Sequence, residues 1–162
     1  VEAVVTADIG PLRVMTTHLE YYSHQQRERQ IDAIRCLHVE ACAMSARNLR
    51  IEEQGGAFET FPRPKQALLC GDLNFPAAAP ERMQILAPFT AGVPNFNDAW
   101  SVLHPGQVHA PTVGIHPVDF VDRPECFDYV FITDGLVSHL TAHGIDATTE
   151  ASDHQPIWVE LA

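Results

Sequence analysis

The chain has 162 residues, a formal net charge of −11 and 46% hydrophobic residues, enough for one globular domain with a real core and too little for two. Charged residues make up 19%, without the low hydrophobicity or charge blocks of a disordered chain. Ten basic residues against 21 acidic ones argue against broad attraction to a phosphate backbone, which needs clustered Lys and Arg.

The β-branched and aliphatic stretches Val1–Ile9 and Leu12–Leu19 flank Gly10-Pro11 and predict two strands joined by a tight turn. A helical period follows from Ser23 to Asn48, with Ser23 as N-cap and Ile31, Ile34, Leu37, Ala41 and Met44 as its apolar stripe. Arg27, Arg29, Arg35, Arg47 and Arg50 fall in or beside this helix and read as a solvated face. A loop through Glu53–Gly56 and Phe61–Pro64 leads to the apolar run Ala67–Cys70, a buried strand ending at Gly71. Asn74-Phe75-Pro76 breaks the pattern, Pro80 opens a helix to about Ala87, and Pro88–Pro94 is loop. Asn95–Val118 reads mostly as connection, with a short helix over Asp98–Leu103. Phe127–Thr133, Val137–Ala147 and Ile157–Leu161 predict three more strands, with Asp134-Gly135 turning the chain after the first. The expectation is a mixed α/β chain in which strands outnumber helices, forming one domain over residues 1–162.

No apolar run approaches the roughly 18–20 residues that span a bilayer, and no signal segment opens the chain, so a soluble, cytoplasmic protein is expected. Cys36, Cys42, Cys70 and Cys126 form no C-x-x-C pair and read as reduced thiols. A first residue that is Val rather than Met predicts that something upstream is missing.

Polar side chains collect at strand boundaries: Thr17-His18-Leu19-Glu20, Gly71-Asp72-Leu73-Asn74, Phe127-Asp128-Tyr129 and Ser152-Asp153-His154. An apolar strand ending in Gly-Asp-x-Asn presents a carboxylate and a carboxamide from a rigid sheet. Hard oxygen donors of this kind suit Mg²⁺ or Mn²⁺ better than zinc, although Asp72 and Asn74 in isolation could equally shape a turn. Asp128 lies in an apolar run and needs a partner, because burying an unpaired carboxylate is costly. A histidine is the obvious candidate, since an Asp-oriented imidazole facing a phosphate does acid–base or electrostatic work.

In this order, His18, Gly71-Asp72-Leu73-Asn74, Asp98-Ala99-Trp100, Phe127-Asp128-Tyr129-Val130-Phe131 and Ser152-Asp153-His154-Gln155-Pro156 resemble the endonuclease/exonuclease/phosphatase family, from about residue 12 to the end. The resemblance implies a DNase I-like four-layer α/β sandwich of mixed sheets (α+β) and a metal-dependent phosphoesterase acting on a phosphodiester or phosphomonoester through activated water. It also implies roles. His18 would contact or protonate the phosphoryl group or leaving oxygen, Asp72 would position or deprotonate the water, and Asn74 would hold the water or a phosphate oxygen. Asp153 would be a ligand of Mg²⁺ or Mn²⁺, together with Asp72 and Asn74, and His154, oriented by Asp128, would stabilise charge on the phosphate.

The family pattern also includes an Asn and a metal-binding Glu upstream of the His18 position. Only 17 residues precede His18, Glu2 has no matching context, and Glu20 is not promoted to that role on proximity alone. The chain is therefore read as the C-terminal portion of the domain, and its activity alone is in question. A sheet missing part of its cover exposes an apolar face, for which a homo-oligomer is expected. The substrate is left open between a phosphorylated small molecule, a lipid head group and nucleic acid. Two other readings stand beside this one: a catalytically inactive interaction module of the same fold, and a calcineurin-like two-metal phosphoesterase, disfavoured by the absence of a Gly-Asn-His segment.

Overall fold

The computed structural model describes residues 1–46, 63–117 and 121–162. The end of the predicted first helix, Arg47, Arg50 and most of the loop after it lie outside the described residues, as does Val118. Strands β1 (Glu2–Ala7), β2 (Gly10–His18), β3 (Ala67–Asp72), β4 (Phe96–Asp98) and β5 (Asp128–Thr133) form one mixed sheet in the order β1-β2-β3-β5-β4. β2 and β3 are parallel and the other neighbours antiparallel. Helix α1 (His24–Ala46) lies in the crossover between the parallel pair, as such a connection requires. Helices α2 (Pro80–Leu86) and α3 (Ala99–Leu103) flank β4, and β6 (Leu140–Ile145) pairs with β7 (Ile157–Leu161) in a second, antiparallel sheet.

Strand alternation divides the core in two. Met15, Ala67, Leu69, Tyr129 and Phe131 point to one face and pack with Ile31 of α1 and Ile85 of α2. Leu12, Val130 and Ile132 point to the other, against Leu136, Leu140, Ile157 and Val159. On this second face cover thins toward β1: Val130 and Ile132 are buried, Val14, Leu68 and Cys70 half-buried, Val5 and Thr16 exposed.

Several expectations need correction. The opening chain reversal is at Asp8–Ile9, not Gly10-Pro11, because Ala7 pairs with Gly10 and Thr6 with Pro11. Antiparallel alternation makes the Thr6–Pro11 pair a non-hydrogen-bonded one, where the missing N–H of proline costs nothing. Phe96–Asp98, read as connection and the start of a short helix, is a strand, because Phe96, Asn97 and Asp98 pair with Thr133, Ile132 and Phe131, and the helix begins at Ala99. The strand expected from Val137 starts at Leu140, after a 3₁₀ turn over Asp134–His139.

Ser23 does cap α1, its hydroxyl accepting from the Gln26 N–H at 3.3 Å. The buried stripe of α1, however, is Ile31, His38, Ala41 and Cys42, with Leu37 47% exposed. His38 is drawn inward by the fully buried Arg13 of β2, whose guanidinium donates to His38 Nδ1. His38 Nε2 then donates to the Pro94 carbonyl at 3.0 Å, and burial holds this imidazole below its ordinary pKa. The helix arginines are not simply solvated either. Arg27 forks onto buried Glu81, at 3.1 and 3.0 Å, and Arg35 donates to the Ile85 and Ala87 carbonyls, both at 2.8 Å.

Candidate functional site

Pairing register builds the site. His18 closes β2 opposite Asp72, the last residue of β3, and Asp72 lies opposite Asp128, the first residue of β5. Paired residues share a face, so three strands present His18, Asp72 and Asp128 as one row at the end of the sheet. Gly71 is required for this. Its φ is +137°, and a Cβ there would sit 1.9 Å from the Thr17 carbonyl oxygen. Asn74 adopts φ 54°, its N–H donates to Asp72 Oδ1 at 2.9 Å, and its Nδ2 donates to the Leu19 carbonyl at 2.7 Å. The Leu19 N–H in turn donates to the Asp72 carbonyl at 3.0 Å, so the turn after β3 is tied to the exit of β2.

Asp128 does have a histidine partner. Its Oδ2 lies 2.8 Å from His154 Nδ1 and accepts from the Thr112 hydroxyl at 2.6 Å. The same hydroxyl accepts the N–H groups of Phe127 and Asp128, each at 3.1 Å. Its donor and both acceptor positions are thereby used. The Thr112 carbonyl accepts from the Gln155 N–H at 2.7 Å, which ties the segment carrying His154 to the same frame. With Nδ1 engaged, His154 Nε2 faces Asp72 Oδ2 at 3.7 Å, and His18 Nε2 approaches that oxygen at 3.5 Å.

The electrostatics follow from this crowding. Burial pushes the Asp72 carboxyl above its ordinary pKa, and the neighbouring Asp128 charge adds to the shift. For His154, burial pulls toward the neutral form, but the hydrogen bond and charge of Asp128, with Asp72 and Asp153, prevail and raise its pKa. Two partly buried carboxylates beside a histidine favour added positive charge. Ligand atoms of Asp72, Asp128 and His154 lie within 4.8 Å of one another, the one such group among the described residues. Two carboxylates and one imidazole this close together form a candidate donor group for a metal ion.

Of the sequence candidates, His18, Asp72, Asp128 and His154 converge, and Asn74 braces the turn between them. Asp153 is exposed at the rim, where Oδ1 accepts from Ser152 Oγ at 3.2 Å. Glu2 is held by Arg63 at 2.8 Å and Arg13 at 3.2 Å, and Glu20 accepts the Tyr22 N–H at 3.0 Å. Sequence reading missed Thr112. It lies in a Pro- and Gly-rich stretch without a local motif, and the one signal was that Asp128 needed partners.

Asp98 also proves structural. It accepts from the Trp100 N–H at 3.0 Å, from Arg82 Nε at 2.8 Å, and meets His109 Nε2 at 2.6 Å. It thereby caps α3 and pairs with the partly buried Arg82 guanidinium.

Neither a family model nor a curated protein matches the sequence. Solved structures do match. An endonuclease/exonuclease/phosphatase from Bacteroides vulgatus superimposes with a TM-score of 0.62 at 17% identity, over 94% of this chain and 49% of that one. The fold is the DNase I-like fold of endonuclease/exonuclease/phosphatase proteins. Within this fold the chain is similar to a mannosyl-6-phosphatase from Bacteroides thetaiotaomicron, with a TM-score of 0.56, 14% identity and coverage of 94% and 51%. It is also similar to a humanized D. rerio TDP2, with a TM-score of 0.57, 17% identity and coverage of 99% and 59%. The chain thus spans about half the length of the endonuclease/exonuclease/phosphatase structures it matches. No helix among the described residues is long and apolar enough to cross a membrane.

Proposed function

We propose that this chain carries the phosphate-handling side of a divalent-cation-dependent phosphoester hydrolase. The observation that supports the reading is the His18–Asp72–Asp128 row, set by strand register and completed by His154. Asp72, raised above an ordinary carboxylate pKa by burial, is the stronger base for that shift and takes a proton from the attacking water. The water oxygen bonds to phosphorus as the bond to the leaving oxygen breaks, and His18 gives that oxygen its proton. His154, held in one orientation by Asp128 and favoured in its charged form, offers Nε2–H to the phosphoryl oxygens as charge builds there. Asn74 keeps its carboxamide oxygen for the water or phosphate while its Nδ2 is bound to Leu19.

Asp72, with Asp153 and Asn74 from the sequence assignment, would hold Mg²⁺ or Mn²⁺ beside the Asp128–His154 pair; when bound, the cation would withdraw charge from the phosphate as a Lewis acid. The substrate is a phosphorylated small molecule, a lipid head group or nucleic acid. The alternative, an interaction module without turnover, is favoured by one observation: Glu2 is consumed by Arg13 and Arg63 and joins no ligand group among the described residues. Incubation with p-nitrophenyl phosphate and bis-p-nitrophenyl phosphate separates the two. Hydrolysis that requires Mg²⁺ or Mn²⁺ and stops with chelator is expected; no release from either ester at any metal concentration favours the module.

A further inference from the structure

The loop that carries His154 has no apolar anchor of its own. Residues 146–156 join β6 to β7, and among them Gln155 alone is buried, at 3% exposure. A carboxamide in that position needs partners, because burying it without hydrogen bonds is costly. Its surroundings orient it. One end of the amide meets only acceptors, so the Nε2 hydrogens lie there and donate to the Asp146 carbonyl at 2.6 Å and the Thr149 carbonyl at 3.2 Å. Both hydrogens of the amide are thereby used.

These bonds fasten the start of the loop to its end. The Asp146 N–H donates to the Pro156 carbonyl at 3.0 Å, and the Asp146 carboxylate accepts from the Thr148 N–H at 2.9 Å and from the Thr148 hydroxyl at 2.6 Å. The Gln155 side chain ties this turn to the residue next to His154. On the other side, the Gln155 N–H donates to the carbonyl of Thr112, whose hydroxyl holds Asp128, and Val113 bridges to His154. The bond from Nδ1 to Asp128, at 2.8 Å, fixes one ring atom only; the direction of Nε2 depends also on where the backbone of residue 154 is held. A working side chain on a loop keeps its geometry only when supporting contacts lock it.

We infer that Gln155 is the positioning residue of His154: its carboxamide clamps the loop at Asp146 and Thr149, so that the imidazole meets Asp128 with one nitrogen and the phosphoryl group with the other. This inference rests on the phosphoester reading above. In that reading His154 answers charge that builds in the transition state, so loosening the clamp lowers kcat and leaves KM almost unchanged.

Two variants test the clamp. Gln155→Met keeps the length of the side chain and removes both donors, and Gln155→Asn keeps the amide but draws it back by one methylene. Ile85→Ala, in the core between the first sheet and the helices, controls for lost stability alone. Hydrolysis of p-nitrophenyl phosphate and bis-p-nitrophenyl phosphate with Mg²⁺ is measured well below every melting temperature. Proton magnetic resonance follows solvent exchange of the His154 Nδ1–H, the signal identified by its loss in His154→Ala. Gln155→Met should lower kcat about 10–100-fold with KM within about twofold of wild type. The same variant should speed exchange of the Nδ1–H about tenfold or more, and Gln155→Asn should fall between it and wild type. Ile85→Ala should melt lower yet keep both kcat and the exchange rate. If Gln155→Met matches wild type in exchange and kcat, or if Ile85→Ala loses as much of both, the clamp is overturned and the phosphoester reading stands. If the wild type hydrolyses neither ester, the phosphoester reading fails and the role of Gln155 in turnover falls with it, whatever the exchange rates show.

Discussion

Replacing Thr112 by valine removes one hydroxyl and keeps the shape of the side chain. Thr112 is 1% exposed, and its hydroxyl serves the Asp128 carboxylate at 2.6 Å and the N–H groups of Phe127 and Asp128 at 3.1 Å. A buried N–H left without a partner costs about 1–3 kcal/mol, and a lost hydrogen bond to a charged group about 1.5–3 kcal/mol. These losses overlap, since part of the Asp128 demand is met by His154, so a net cost of about 2–4 kcal/mol follows. At about 2–4 °C per kcal/mol for a chain of this size, the melting temperature should fall by about 5–15 °C. Thr112→Ser keeps the hydroxyl and loses a methyl group, which costs about 1 kcal/mol. The assay is thermal and urea unfolding of the wild type and both variants, with ester hydrolysis measured well below every melting temperature. Valine should also lower turnover by about 10–100-fold, because a less firmly held Asp128 no longer fixes the ring of His154. If the valine variant unfolds together with or above the serine variant, the hydroxyl does not anchor Asp128 and the reasoning is wrong.

Acid titration tests the buried ion pairs. Burial would raise the Asp98 carboxyl, but His109 and Arg82 hold it below its ordinary pKa, so the unfolded chain binds its proton first as pH falls. Its stabilisation is present above about pH 4 and lost as pH drops through the lower folded value, so Asp98→Asn should cost about 3–5 kcal/mol at neutral pH and progressively less in acid. A gap between wild type and variant that is constant from pH 7 to about 2.5 in urea titrations contradicts this. His38, buried and depressed, predicts a separate loss of stability as pH falls below about 6.5, visible as a second slope in the same titration. Gly71→Ala places a Cβ against the Thr17 carbonyl, and should lose at least about 3 kcal/mol or yield no folded protein; a variant melting within a degree or two of wild type removes the steric argument. The half-open sheet face at Val5, Val14 and Leu68 should be covered by a second copy of the chain, giving a dimer in sedimentation at micromolar concentration, where a monomer contradicts it.

The elements legible in the sequence were those whose pattern is local. The apolar run Ala67–Cys70, the apolar run through β5 and the Ser23 cap each carry their own signal. β4 does not, because three residues become a strand only through their pairing with Thr133, Ile132 and Phe131. The α1 stripe holds at Ile31, Ile34 and Ala41 but fails at Leu37, because a buried arginine on a distant strand calls for a polar partner and His38 supplies it where periodicity favours Leu37. The site shows the same division. Asp72, Asn74 and His154 stand in compact motifs, and the cost of burying Asp128 announced a partner. Thr112 has no motif, and it comes within reach of Asp128 only when Val113 bridges to Glu125 and His154.

The most direct test of whether the sheet end is a chemical centre is the paired stability and turnover of Asp72→Asn. Burial and the Asp128 charge make the Asp72 carboxylate a liability to the folded state at neutral pH, while an asparagine oxygen can still accept the Asn74 N–H. A functional carboxylate therefore predicts a melting temperature unchanged or raised, together with a loss of metal-dependent phosphoester hydrolysis of about a hundredfold or more. A variant that melts several degrees lower and hydrolyses the ester at the wild-type rate would show that Asp72 only shapes a turn, and would contradict the account.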